Sequence, residues 1–104
     1  MKVFIDLKLP VIRKPVEIKV DVEGEEYIGH FLPLYRSEFA EIQKKDNADE
    51  YLIFESWVDE LGNKRLQSVE DAGKFPPLAF NKLVQAALEA SGFGKKAKTD
   101  AKKD

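Results

Sequence analysis

The sequence predicts an α+β fold, with an N-terminal antiparallel β-sheet followed by two or three α-helices. Three observations carry that prediction. Apolar residues recur at every second position through residues 3–9 and 16–22, which is the period of a half-buried strand. From residue 36 onward the apolar spacing changes to three and four, which is the period of a helix face. Glycine or proline punctuates the junctions, at Pro10, Pro15, Gly24, Pro33, Gly62, Pro76 and Gly92.

The elements follow in order. In "VFIDLKL" (3–9), Val3, Ile5, Leu7 and Leu9 alternate with Phe4, Asp6 and Lys8, and a strand is expected. "PVIRKP" (10–15) has a proline at each end and reads as a connection. "VEIKVDV" (16–22) is the clearest strand: Val16, Ile18, Val20 and Val22 face one way, Glu17, Lys19 and Asp21 the other. "EGEE" (23–26) turns the chain through Gly24, where positive φ costs little. "YIGHFLPLY" (27–35) is the returning strand, so residues 16–35 form a hairpin with 3–9 as the expected third member. Pro33 cannot donate to a ladder and marks the strand's exit.

Residues 36–45 read as a short helix with Ser37 as its N-cap, Glu38 and Glu41 at its positive end and Lys44 and Lys45 at its negative end. Residues 46–61 read as a second helix, capped by Asp46 or Asn47. Tyr51, Phe54, Val58 and Leu61 form its stripe, Leu52, Ile53 and Trp57 widen it, and Gly62-Asn63 is the stop. Residues 64–77 admit either a short strand at 65–68 or one helical turn begun by Ser68, ended by Pro76-Pro77. A last helix is expected over 78–91, closed by Gly92 and Gly94.

The 104 residues make one domain, expected over 1–93, with 43% hydrophobic and 35% charged residues. There is no cysteine, which excludes disulfides, thiolate metal sites and a cysteine nucleophile. Asp6 and Lys8 interrupt the apolar start, so neither a signal core nor a membrane span is expected there. Net charge is −2, unevenly spread: residues 94–104 carry five lysines against two aspartates, leaving 12 basic and 17 acidic residues in the first 93. An acidic body disfavours general nucleic-acid affinity. The tail has no apolar side chain larger than Ala, so it is expected to remain disordered.

Catalytic chemistry finds little to stand on. His30 is the only histidine, and no Gly-x-Ser-x-Gly elbow supports a triad from Ser37, His30 and Asp46. Asp46, Asp49, Glu50, Glu55, Asp59 and Glu60 lack the spacing of a calcium loop and read as a solvated face. The isolated Gly24 and Gly29 make no phosphate loop. No metal, cofactor or small-molecule substrate is expected. Aromatics are the unusual feature: seven Phe, three Tyr and one Trp in so short a chain. Either they form one aromatic-rich core or some line an exposed contact patch.

The order of these features forms a pattern. The hairpin "VEIKVDVEGEEYIGHFLPL" leads to a helix start at Ser37-Glu38. A segment with Trp57, Asp59-Glu60 and Gly62 follows, and a proline-preceded helix closes on "ASGFGKKAK". The pattern resembles that of the small tail assembly chaperones of long-tailed bacteriophages and prophages, over residues 16–96, by sequence of features rather than by one diagnostic motif. The resemblance implies a protein without enzymatic activity, acting in the bacterial host cytoplasm. Such proteins coat the long, helical tape measure protein and keep it soluble while tail tube proteins polymerise around it; many oligomerise. Many are also made in two lengths by ribosomal frameshifting, for which the Gly94-Lys95-Lys96 codons are a candidate site. Phe31, Tyr35, Phe39 and Trp57 are the candidate client-binding residues, with core packing the competing reading for each and the preferred one for Trp57. The rival function is a nucleic-acid-associated accessory protein using the lysine tail.

Overall fold

The alternation of residues 16–31 makes a two-stranded antiparallel ladder in the computed structural model, which describes residues 13–93. Strand β1 (Val16–Val22) pairs with β2 (Glu25–Phe31) from Val16 opposite Phe31 to Val22 opposite Glu25. Only Glu23 and Gly24 are left to turn the chain, and both have positive φ, 53° and 83°. That combination belongs to the type I′ turn, whose twist matches that of the flanking strands. Ile18, Val20 and Val22 point to the packed face with Phe31, while exposed Glu17, Lys19, Asp21, Glu26 and Ile28 occupy the other. Phe31 is fully buried, and its ring lies over Gly29: a Cβ at Gly29 would meet the ring at 2.8 Å. A glycine there lets the ring fold back along its own strand.

The sheet has three strands among the described residues, but its third member was not anticipated. Strand β3 is Trp57–Val58, pairing antiparallel with Phe31 and His30 in the order β1-β2-β3. The expected strand over 3–9 lies outside the described residues, as does the tail 94–104.

Helix α1 (Arg36–Gln43) begins two residues earlier than a Ser37 cap requires, with Tyr35 as its N-cap. The Tyr35 N–H donates to Glu38 Oε1 at 2.8 Å, so Glu38 supplies the capping contact from inside the first turn. Helix α2 (Ala48–Ser56) starts at Asn47, one of the two expected caps. It stops at Ser56 rather than at Leu61, which corrects the 46–61 expectation. Ser56 is fully buried, its hydroxyl donates to the Leu32 carbonyl at 3.0 Å, and its own carbonyl accepts the Leu32 N–H at 2.7 Å. These bonds tie the chain to the exit of β2 and turn Trp57 to extended φ −74°, ψ 117°.

Gly62-Asn63 therefore closes a loop between β3 and a single bridging residue, Lys64, rather than a helix. Asp59 N–H donates to the Asn63 carbonyl at 2.8 Å, and Val58 bridges antiparallel to Lys64. Of the two readings of 64–77, the helical turn is the one found: α3 (Val69–Ala72) with Ser68 at its N-cap.

Helix α4 (Pro77–Ala90) has Pro77 in its first turn, where the missing N–H costs nothing. It ends in a Schellman arrangement: Phe93 N–H donates to Leu88 O at 2.7 Å and Gly92 N–H to Glu89 O at 3.1 Å, with Gly92 at φ 91°. Helix α4 lies against β1 and touches α2 and β2; α2 touches α1 and α3. The main core joins Val20, Phe31, Leu34, Ile42, Leu52, Ala86 and Ala87. Full burial of Phe31 alone contributes about 2–3 kcal/mol. The Leu34 N–H donates to Ser91 Oγ at 3.0 Å, fixing the loop before α1 to the end of α4.

Candidate protein-binding face

The four sequence-chosen aromatics separate on folding. Phe31 sits in the core with no exposed surface, opposite Val16 on the packed side of the sheet, and presents nothing to a partner. Trp57 is half-buried against the core and meets Phe75 edge-on, with centroids 5.6 Å apart. Tyr35 and Phe39 share one side of the α1 start, a spacing closed by the Phe39 N–H to Tyr35 O bond at 3.0 Å. Both are half-buried.

Two residues not chosen from the sequence complete this region. Phe93 is 45% exposed and stacks on Phe39, with centroids 4.8 Å apart and planes 19° from parallel. The Schellman ending of α4 is what turns Phe93 toward α1, and the Gly92-Phe93 step was the available signal, since an apolar residue after such a glycine packs back on structure. Arg13 lies with its guanidinium carbon 4.1 Å from the Tyr35 ring centre and donates to Glu38 Oε1 at 2.6 Å and Pro33 O at 3.2 Å. This contact spans 25 residues from Arg13 to Glu38, and no local pattern announces it. Arg13, Tyr35, Phe39 and Phe93 thus form an aromatic ledge where the start of α1 meets the end of α4.

The β1–β2 turn, at the other end of the hairpin from Phe31, is acidic. Asp21, Glu23, Glu25 and Glu26 are all exposed at the β1–β2 turn, beside Tyr27 and Ile28, which are 54% and 58% exposed. Tyr27 Oη donates to Glu25 Oε2 at 3.1 Å, and that bond, with the nearby charge, raises the phenol pKa above its usual range. On the Asp59 loop, the Asn63 N–H leads the contacts that hold the carboxyl below its ordinary pKa. The carboxylate accepts the Asn63 and Leu61 N–H groups at 3.0 and 2.8 Å.

The residues weighed for catalysis lie apart in role. His30 shares a sheet face with Glu17 and with buried Val58, its Nε2 3.8 Å from Glu17 Oε1; Ser37 is exposed within α1; Asp46 is exposed between α1 and α2. Among the described residues, no group of three or more His, Asp or Glu side chains is placed to hold a metal ion, and no helix is long and apolar enough to cross a membrane. No protein-family model, curated protein or solved structure matches this chain.

Proposed function

We propose that the chain is a tail assembly chaperone of a long-tailed bacteriophage or prophage. It binds the tape measure protein in the host cytoplasm and keeps it soluble while tail tube subunits assemble around it. The resemblance over residues 16–96 raises this reading, and one geometric observation carries it to particular residues: the half-exposed ledge of Tyr35, Phe39 and Phe93, with Arg13 over Tyr35. A long helical client carries apolar stripes at three- and four-residue spacing. Rigid aromatic side chains cover such stripes with little loss of conformational freedom. The acidic hairpin end, Asp21 to Glu26, keeps the resulting complex charged.

Co-expression with the long helical protein encoded near this gene, followed by pull-down and size-exclusion chromatography, tests the reading. The client co-purifies and becomes soluble, and Phe93→Ala weakens the complex about tenfold, the loss expected for an aromatic contact worth over 1 kcal/mol. A client that remains insoluble and unbound overturns it. The rival, a nucleic-acid-associated protein, is favoured by the lysines at 95, 96, 98, 102 and 103. It requires DNA or RNA binding that weakens steeply with salt and is lost when those lysines are neutralised.

A further inference from the structure

The ledge of Arg13, Tyr35, Phe39 and Phe93 differs in charge from the body that carries it. The first 93 residues hold 12 basic side chains against 17 acidic ones. Four of those acids, Asp21, Glu23, Glu25 and Glu26, are exposed at the β1–β2 turn. The length of the hairpin separates that turn from the ledge. Arg13 donates to Pro33 O, two residues past the open end of the hairpin at Phe31, so turn and ledge stand about 20 Å apart at roughly 3.3 Å per residue. At 0.1 M salt a charge is largely screened beyond about 10 Å. The acidic turn therefore has little hold on what the ledge binds.

The charges beside the ledge are basic. Arg36 follows Tyr35 and stands three positions before Phe39, on the same side of α1. Lys14 follows Arg13. Both are exposed, and neither makes an ion pair among the described residues. Arg13 itself is balanced by Glu38 at 2.6 Å. The neighbouring acids turn elsewhere. Glu41, two positions from Phe39, lies on another side of α1 and pairs with Lys44 at 3.3 Å. Glu89 is exposed two positions before Ser91, whose Oγ accepts the Leu34 N–H, and so lies on the side of α4 away from that bond.

We propose that the ledge takes an acidic amphipathic helix, with its apolar stripe on Tyr35, Phe39 and Phe93 and its flanking carboxylates against Lys14 and Arg36. This rests on the chaperone reading for the helical form of the client, and adds the sign of its charge. Phe93 is 45% exposed and already stacked on Phe39, so the apolar contact is preformed. The guanidinium of Arg36 offers a planar fork that matches a carboxylate. Charges at the rim of such a contact choose the partner more than they tighten the complex. The body as a whole, being acidic, favours a basic partner. Whole-molecule charge and local charge thus predict opposite clients.

Two synthetic peptides of about 20 residues, long enough to hold a helix in water, decide between them. Both carry one leucine stripe at three- and four-residue spacing. One has Glu beside the stripe and the other Lys, and circular dichroism matches their helix content. Fluorescence anisotropy of the labelled peptides follows their binding to the full-length protein. At about 0.1 M salt the Glu peptide binds about fivefold tighter than the Lys peptide, the discrimination expected of two exposed charge pairs, and about 1 M salt removes the difference. Phe93→Ala weakens both peptides, and Lys14→Glu with Arg36→Glu reverses their order. Equal affinities, a preference for the Lys peptide, or no binding of either overturns the proposal. So does a Phe93→Ala protein that binds as the wild type does, or an unchanged order in the double charge variant. A Glu peptide that binds while the tape measure protein stays insoluble supports the proposal and overturns the chaperone reading. A client that co-purifies with a protein preferring the Lys peptide does the reverse.

Discussion

Glu23 holds φ at 53°, a left-handed conformation that costs an ordinary residue about 1–2 kcal/mol. Pairing of Val22 with Glu25 leaves two residues for the turn, and Gly24 fills only the second. Asparagine accepts the first position more readily, which is why Asn-Gly dominates such turns. Glu23→Asn is therefore expected to raise stability by about 0.5–1 kcal/mol, or Tm by about 2–8 °C. The substitution also removes one of four closely spaced acidic side chains, so Glu23→Gln is the necessary control, carrying the charge effect without the backbone relief. Thermal unfolding followed by circular dichroism checks the pair. The conformational account requires Asn to exceed Gln, and equal gains would assign the effect to charge alone.

The loop from Asp59 to Asn63 is an element whose stability should depend on acid. Its carboxylate accepts the Leu61 and Asn63 N–H groups and the Asn63 side-chain amide at 2.8, 3.0 and 3.4 Å. The bond from the Asn63 N–H leads the causes that depress the pKa in the folded protein. A depressed carboxyl stabilises fully above its unfolded pKa of about 3.9 and loses that contribution as pH falls through the lower folded value. Asp59→Asn should thus lower Tm at pH 7, and its deficit against the wild type should shrink as pH is taken below about 4. A deficit constant from pH 7 to pH 2 would refute the electrostatic account.

This element also marks where the sequence misled. Tyr51, Phe54, Val58 and Leu61 repeat at helical spacing, and Gly62-Asn63 serves a helix end and a hairpin loop equally well. The deciding contacts are the two bonds between Ser56 and Leu32, 24 residues apart. Local periodicity carries no trace of them. The β1–β2 hairpin was legible because its alternation and its turn residue agree.

At the scale of the whole molecule, the β1–β2 hairpin was readable, and the third strand at Trp57–Val58 and the placement of the aromatics were not. Both faces of β2 carry apolar residues, with Tyr27 and Phe31 on one and Ile28 on the other. Alternation alone could not tell that Phe31 belongs to the core while Tyr35 and Phe39 edge a surface; the register against β1 and the start of α1 decide it. Layer spacing is set in the same long-range way. Ala86 and Ala87, 4% and 0% exposed, stand in the cluster that joins α4 to β1, and small side chains there let the helix approach the sheet closely. Ala87→Leu adds three carbons where there is no free surface, and overpacking of that kind costs about 1–3 kcal/mol. Leu61, 86% exposed on its loop, supplies the contrast: Leu61→Ser is expected to change stability by no more than about 0.5 kcal/mol. Urea unfolding measures both, with the midpoint falling for Ala87→Leu at an unchanged slope if the native layers hold together. Equal midpoints for the two variants would mean that α4 does not pack on the sheet through Ala87. The ledge, which depends on the end of α4 meeting the start of α1, would then lose its support.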